Sequence, residues 1–104
     1  VLKANDIATM STGKRLGHPV RSIKNPYTKE YFKLEYSNIS DEELEAYGRG
    51  SLYRAAVEGD EKTGCFLAGQ IAGMVNKEQT AKEIIEEIFT QAEDVLKGAT
   101  KWVK

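Results

Sequence analysis

Thr80-Ala81-Lys82-Glu83-Ile84-Ile85-Glu86-Glu87-Ile88-Phe89-Thr90-Gln91-Ala92-Glu93-Asp94-Val95-Leu96-Lys97-Gly98 sets the class of this chain. Ile84, Ile85, Ile88, Phe89, Ala92, Val95, Leu96 and Ala99 recur at helical spacing, so one apolar stripe runs for about five turns. Thr80 and Glu83 form a capping box, in which the hydroxyl takes an N3 amide and the carboxylate reaches back to the cap. Gly98 reads as the terminator, and Trp102 closes the end with a large apolar surface. Glu86-Glu87 and Glu93-Asp94 fall on the outer face as solvated charges, without the apolar shielding that tunes a catalytic carboxylate.

Upstream, the same rules predict shorter helices. Asn25 is a good N-cap and Pro26 suits the first helical position, where its missing N–H would have no partner anyway. Tyr27, Tyr31 and Leu34 then form one stripe, and Ser37-Asn38 ends it. Ser40 and Glu43 make a second capping box, with Asp41, Glu42 and Glu43 at the positive end of the helix dipole. Leu44 and Tyr47 supply the buried side until Gly48-Arg49-Gly50 breaks the pattern. A helix over Ser51–Val57 is expected to turn Leu52, Ala55 and Ala56 inward. Before Asn25, Asp6–Thr12 and Val20–Lys24 read as short extended pieces around Gly13 and Gly17-His18-Pro19. The fold class is therefore mainly α with one or two short extended segments.

Cys65-Phe66-Leu67-Ala68-Gly69-Gln70-Ile71-Ala72-Gly73-Met74-Val75 is apolar except for Gln70. As a helix it would be buried on every side. Gly69 and Gly73, flanked by Ala68 and Ala72, would leave one face nearly bare backbone, open to another backbone or a flat ligand. A lone amide such as Gln70, if buried, must either satisfy backbone groups or address a ligand's polar edge.

Bulk properties exclude several function classes. Hydrophobic residues at 40% and charged residues at 30% of 104 fit one small globular unit rather than a disordered chain. A net charge of -1 gives no nucleic-acid footprint, and no apolar run approaches the roughly 20 residues of a membrane span. The first third is basic and the rest acidic, which either attracts an anion or lets the two parts face each other. Cys65 stands alone, so no internal disulfide or paired-cysteine metal motif is possible, and a reducing, cytoplasmic setting is expected. As a lone thiol without a neighbouring base in sequence it reads as buried and inert. With one histidine, the chain groups no metal ligands and shows no nucleotide-binding glycine fingerprint. His18, between Gly17 and Pro19 with Arg15 and Arg21 nearby, is either a proton-transfer or phosphate-binding residue or one held in a tight loop.

Taken in order, these segments resemble a known family. Gly17-His18-Pro19-Val20-Arg21-Ser22-Ile23-Lys24-Asn25 resembles the "GHxVRxIKN" stretch of the flavin-dependent enoyl-acyl carrier protein reductase II family, which shares its barrel with nitronate monooxygenases (2-nitropropane dioxygenase-like enzymes). Gly48-Arg49-Gly50-Ser51-Leu52 and Ala55-Ala56-Val57-Glu58-Gly59-Asp60 follow in the expected order. Gly64–Gly73 looks like that family's "GSxMAGQIAG" signature, with Cys65 for its serine and Leu67 for its methionine. Lys101-Trp102 also fits.

The resemblance implies a TIM barrel that binds FMN, uses NADH or NADPH and reduces an enoyl thioester in bacterial fatty-acid synthesis. It covers the C-terminal part of such an enzyme, so the barrel strands and catalytic histidine would precede this chain, and His18 inherits no catalytic role. The expected division is an extended segment at 1–25, short helices over 26–75 forming a substrate-side cap, and an outer terminal helix at 80–98. The resemblance places Gly69 and Gln70 near the flavin and Phe66 and Leu67 along the substrate channel, and assigns no catalytic or metal-binding residue here. The implied partners are the missing N-terminal barrel and an acyl carrier protein-linked enoyl substrate, with no nucleic acid or membrane. The chain alone is expected to be inactive, to hold no cofactor and to self-associate. Two other readings stay open: a piece of a nitronate monooxygenase, and a non-catalytic helical interaction module.

Overall fold

The structure, a computed structural model, describes all 104 residues. β1 (Thr9–Thr12) and β2 (Val20–Ile23) form an antiparallel hairpin, with Thr9 opposite Ile23 and Thr12 opposite Val20. Four helices follow: α1 (Pro26–Glu35), α2 (Asp41–Gly48), α3 (Ser51–Ala56) and α4 (Ala81–Ala99). Short 3₁₀ turns cover Gln70–Met74 and Thr100–Trp102. The chain is mainly helical with one two-stranded sheet, as its periodicities predict.

Local chemistry explains the helix starts. Ser40 and Thr80 cap α2 and α4 through complete capping boxes with Glu43 and Glu83. α1 has a third box with different residues: the Asn25 side chain accepts from the Thr28 N–H, and the Thr28 hydroxyl accepts from the Asn25 N–H, both at 2.9 Å. The Asn25 amide also donates to the Glu61 and Gly64 carbonyls, which ties the start of α1 to the loop before Cys65.

Tyr27 and Tyr31 of α1, Leu44 of α2 and Cys65 form the core, with Leu16, Leu34 and Ile39 packed around it. Tyr47 stacks on Tyr27, nearly parallel at 5.5 Å between ring centroids, within the range of favourable aromatic pairs. Arg15 locks the hairpin loop onto this core. Its guanidinium pairs with Asp41 at 2.8 Å and donates to the Ser37 and Ile39 carbonyls, while its backbone N–H donates to the buried Glu35 carboxylate.

Three expectations are corrected. Cys65–Val75 is not one buried helix. The Ile23 N–H donates to the Phe66 carbonyl and the Ala68 N–H to that of Arg21, so Leu67 bridges Ser22 on the free edge of β2. A short apolar run fits an edge segment as well as a helix, and pairing with β2 decides the matter. Leu52 and Ala56 point outward from α3, because the Cys65 and Gly64 backbone approaches the Ser51 and Ala55 side too closely for a large residue. Gly98 does not end α4, which continues through Ala99 into the 3₁₀ turn, and Trp102 is exposed.

α4 buries none of its residues: Phe89 is 68% and Leu96 70% exposed. The main contact between α4 and the preceding loop is polar. Glu87 pairs with Lys77 at 2.9 Å and accepts from Gln79 and Gln91, so this residue is an anchor rather than a freely solvated charge. The radius of gyration is 18.4 Å, against about 13 Å for a compact domain of this length. The accessible surface is 8120 Å², against about 5,800 Å² for a folded monomer of this mass. These residues do not close a core around their own apolar surface.

Candidate functional site

The segment from Phe66 to Val75 combines a fixed backbone with uncovered side chains. Its backbone is held by the two bonds to β2, by the Cys65 N–H donating to the Ser51 carbonyl, and by the Ala72 N–H donating to that of Gly69. Ala72 is buried, and a Cβ on Gly73 would lie 2.7 Å from the Asn5 backbone, so the glycine permits this close approach. The close backbone approach expected of the glycine pair is made at Gly73, toward the chain's own N-terminal segment.

Gly69 is the opposite case. A Cβ there would meet nothing within 4 Å, so the position faces open space. Gln70 is exposed and its amide makes no hydrogen bond with the rest of the chain. Leu67 is 55% and Ile71 69% exposed, with Met74 and Val75 beyond them, while Phe66 is half-buried. Leu67, Gly69 and Gln70 are thus brought onto one short strip, which offers an apolar side chain, a Cβ-free position and one unused amide, while Phe66, next to Leu67 on an extended segment, turns to the other face, beside Val1, Leu2 and Ile23. A flat, largely apolar ligand with a polar edge fits such a wall.

The remaining candidates resolve differently. The His18 N–H donates to the Gly13 carbonyl at 3.0 Å, which closes the hairpin loop, while the imidazole is exposed and has no orienting carboxylate. The structural reading of His18 therefore holds for its backbone. Cys65 is buried in the core, and burial pushes its thiol up, with the Ser22 hydroxyl opposing the shift. It is a packed thiol and not a nucleophile. Burial likewise raises Tyr27 and Tyr31, keeping both phenols neutral. Nowhere do three or more His, Cys, Asp or Glu converge as metal ligands would. No helix is long and apolar enough to cross a membrane.

Two features escape sequence reasoning. One is the Glu87 anchor, since nothing local links Lys77 and Gln79 to a residue two turns into α4. The other is a groove where Arg49, Arg54 and Lys62 meet Tyr47. These cations lie apart in sequence and share no periodicity.

No family model matches the chain, and no curated protein matches it. Among solved structures it is similar to FabK from Thermotoga maritima, with a TM-score of 0.88 and 33% identity over 98% of this chain and 32% of that chain. A methionine-to-alanine variant of FabK from the same organism matches at a TM-score of 0.75 and 29% identity, over 98% of this chain and 29% of that one. The chain thus spans about a third of the length of these structures. Over essentially all of its residues, it is a FabK-like segment in fold and in sequence.

Proposed function

We propose that this chain is the C-terminal, lid-side portion of an NAD(P)H- and FMN-dependent enoyl-acyl carrier protein reductase, incomplete as a catalyst by itself. One observation carries the reading. The strip that bears the family signature is rigid in its backbone yet uncovered in its side chains, as one wall of a site needs when the opposite wall belongs to other residues. The uncovered stripe of α4 fits the same picture, with a barrel as the body it packs on. FabK, an enoyl-acyl carrier protein reductase II, is among the solved structures that match this chain, over 98% of its length.

In this reading residues 26–75 cap the substrate side and α4 is an outer helix. Gly69, with no Cβ, allows the edge of a flat ring to approach the backbone, and the free Gln70 amide donates to or accepts from the polar rim of that ring. Leu67, with Phe66 packed behind it on the other face of the extended segment, gives the enoyl thioester a water-poor wall, where a leucine in place of the family's methionine keeps similar volume. In this reading Gly69 and Gln70 would border the FMN ring, whose chemistry would be hydride transfer between NAD(P)H and the enoyl thioester, while this chain's residues orient ligands and exclude water. Most flavin-phosphate contacts belong, in this reading, to the barrel residues outside this chain, and the isolated chain self-associates through the Phe66–Val75 strip and the Ile84–Leu96 stripe.

The test uses the full natural polypeptide that carries this segment, with NAD(P)H oxidation followed in a crotonyl thioester and, separately, in a nitronate. Thioester-dependent oxidation that falls about tenfold or more in Gln70→Ala is expected, the loss a ligand-facing hydrogen bond gives in a water-poor site. Oxygen consumption with nitronate and no thioester turnover would instead move the polypeptide to the monooxygenases.

A further inference from the structure

The groove between α2, α3 and the loop before Cys65 has no part in the redox reading. Tyr47, Arg49, Arg54, Lys62 and Thr63 line it together with Glu30 of α1, so three cations and one carboxylate share the groove. None of the three cations has a carboxylate within 4.0 Å. Glu30 is engaged by Lys33 at 3.5 Å. Asp60, the next acid toward Arg54, spends its carboxylate on the Lys62 and Thr63 N–H groups and the Thr63 hydroxyl.

Arg54 is the unusual member. It is half-buried, and its guanidinium is held by two neutral acceptors, the Thr63 carbonyl from Nε at 3.1 Å and the Arg49 carbonyl from Nη1 at 3.2 Å. A Cβ on Gly50 would sit 3.3 Å from that Nη1, so the glycine leaves the fork its room. The result is an oriented, half-buried cation with no carboxylate in direct contact, Asp60 acting on it only from a distance, and Nη2 left unbonded by the chain. Carbonyls fix such a group in place without neutralising it. Arg49 and Lys62 add two exposed cations to the same hollow, and neither side chain is bonded elsewhere.

We propose that this groove binds a soluble phosphate-class anion, with Arg54 as the fixed fork and Arg49 and Lys62 closing on the remaining oxygens. Two guanidinium groups and an ammonium suit a tetrahedral, multiply charged anion better than a single carboxylate. The site uses only this chain's residues, so it stands or falls separately from the flavin reading.

Inorganic pyrophosphate is the probe, titrated calorimetrically into the full natural polypeptide at low ionic strength. Saturable one-site binding with a dissociation constant below about 1 mM is expected, weakening as salt rises. Arg49→Gln and Lys62→Gln, which leave the Arg54 clamp in place, should each weaken it roughly three- to tenfold, the effect of one partly exposed charge-assisted contact. Lys29→Gln, on exposed α1 surface, should leave it unchanged. Absence of saturable binding, or equal binding in the Arg49 and Lys62 variants, overturns the proposal.

Discussion

Leu44 is the only large apolar side chain of this protein with no exposure at all, and it sits against Tyr27 and Tyr31. With so small a core, one residue carries much of the stability. Leu44→Ala should cost about 2–4 kcal/mol, measurable as a lower urea midpoint; a change under about 1 kcal/mol would mean that the cluster is not the core. Cys65 belongs to the same cluster, and burial keeps its thiol protonated. Its reaction with an aromatic disulfide at pH 8 should be slow and should follow unfolding. Rapid modification of the folded chain would contradict the packing. Both side chains were readable from sequence as inward. Gln70 was not, since whether an amide is buried depends on what covers it.

At the scale of elements, the parts predicted well are those with local causes. The Ser40 and Thr80 capping boxes and the Asn25-Pro26 start each use residues within one turn, and each helix begins where they indicate. The misread parts are governed from a distance. Cys65–Ala68 is extended because β2 has a free edge to pair with, and Leu52 faces out because Gly64 and Cys65 occupy the other side of α3. The start of α4 also carries a pH dependence. The Thr80 N–H holds the Glu83 carboxyl below its ordinary value, and Lys77 does the same for Glu87. Because both folded values are depressed, their contribution is present above the ordinary carboxylate range and is lost as pH falls through the folded values. The N-terminal turn of α4 should therefore fray on acidification below about pH 4, before the tyrosine core responds. Amide chemical shifts at Thr80 and Glu83 would follow this. Unchanged shifts down to the global acid transition would refute it.

For the whole molecule, the governing fact is surface left over. An excess of roughly 2,300 Å² over a compact monomer exceeds what a standard protein interface buries in total. The longest continuous runs of exposed apolar residues are on the two elements that the core does not reach, Leu67–Val75 and the α4 stripe, with others scattered over the N-terminal segment, α1 and α3. The periodicity of α4 was plain in the sequence, but its uncovered state was not, because a stripe looks the same whether its cover lies in the same chain or beyond it. The central claim is that residues outside this chain supply that cover. Hydrogen exchange tests it most directly, comparing the 104-residue chain, diluted until sedimentation shows a monomer, with the full natural polypeptide. The account predicts that amides from Ile84 to Leu96 exchange at least about a hundredfold faster in the isolated monomer, a loss of roughly 3 kcal/mol of protection. Equal protection of α4 in both would show that the helix needs no cover, and would contradict the account.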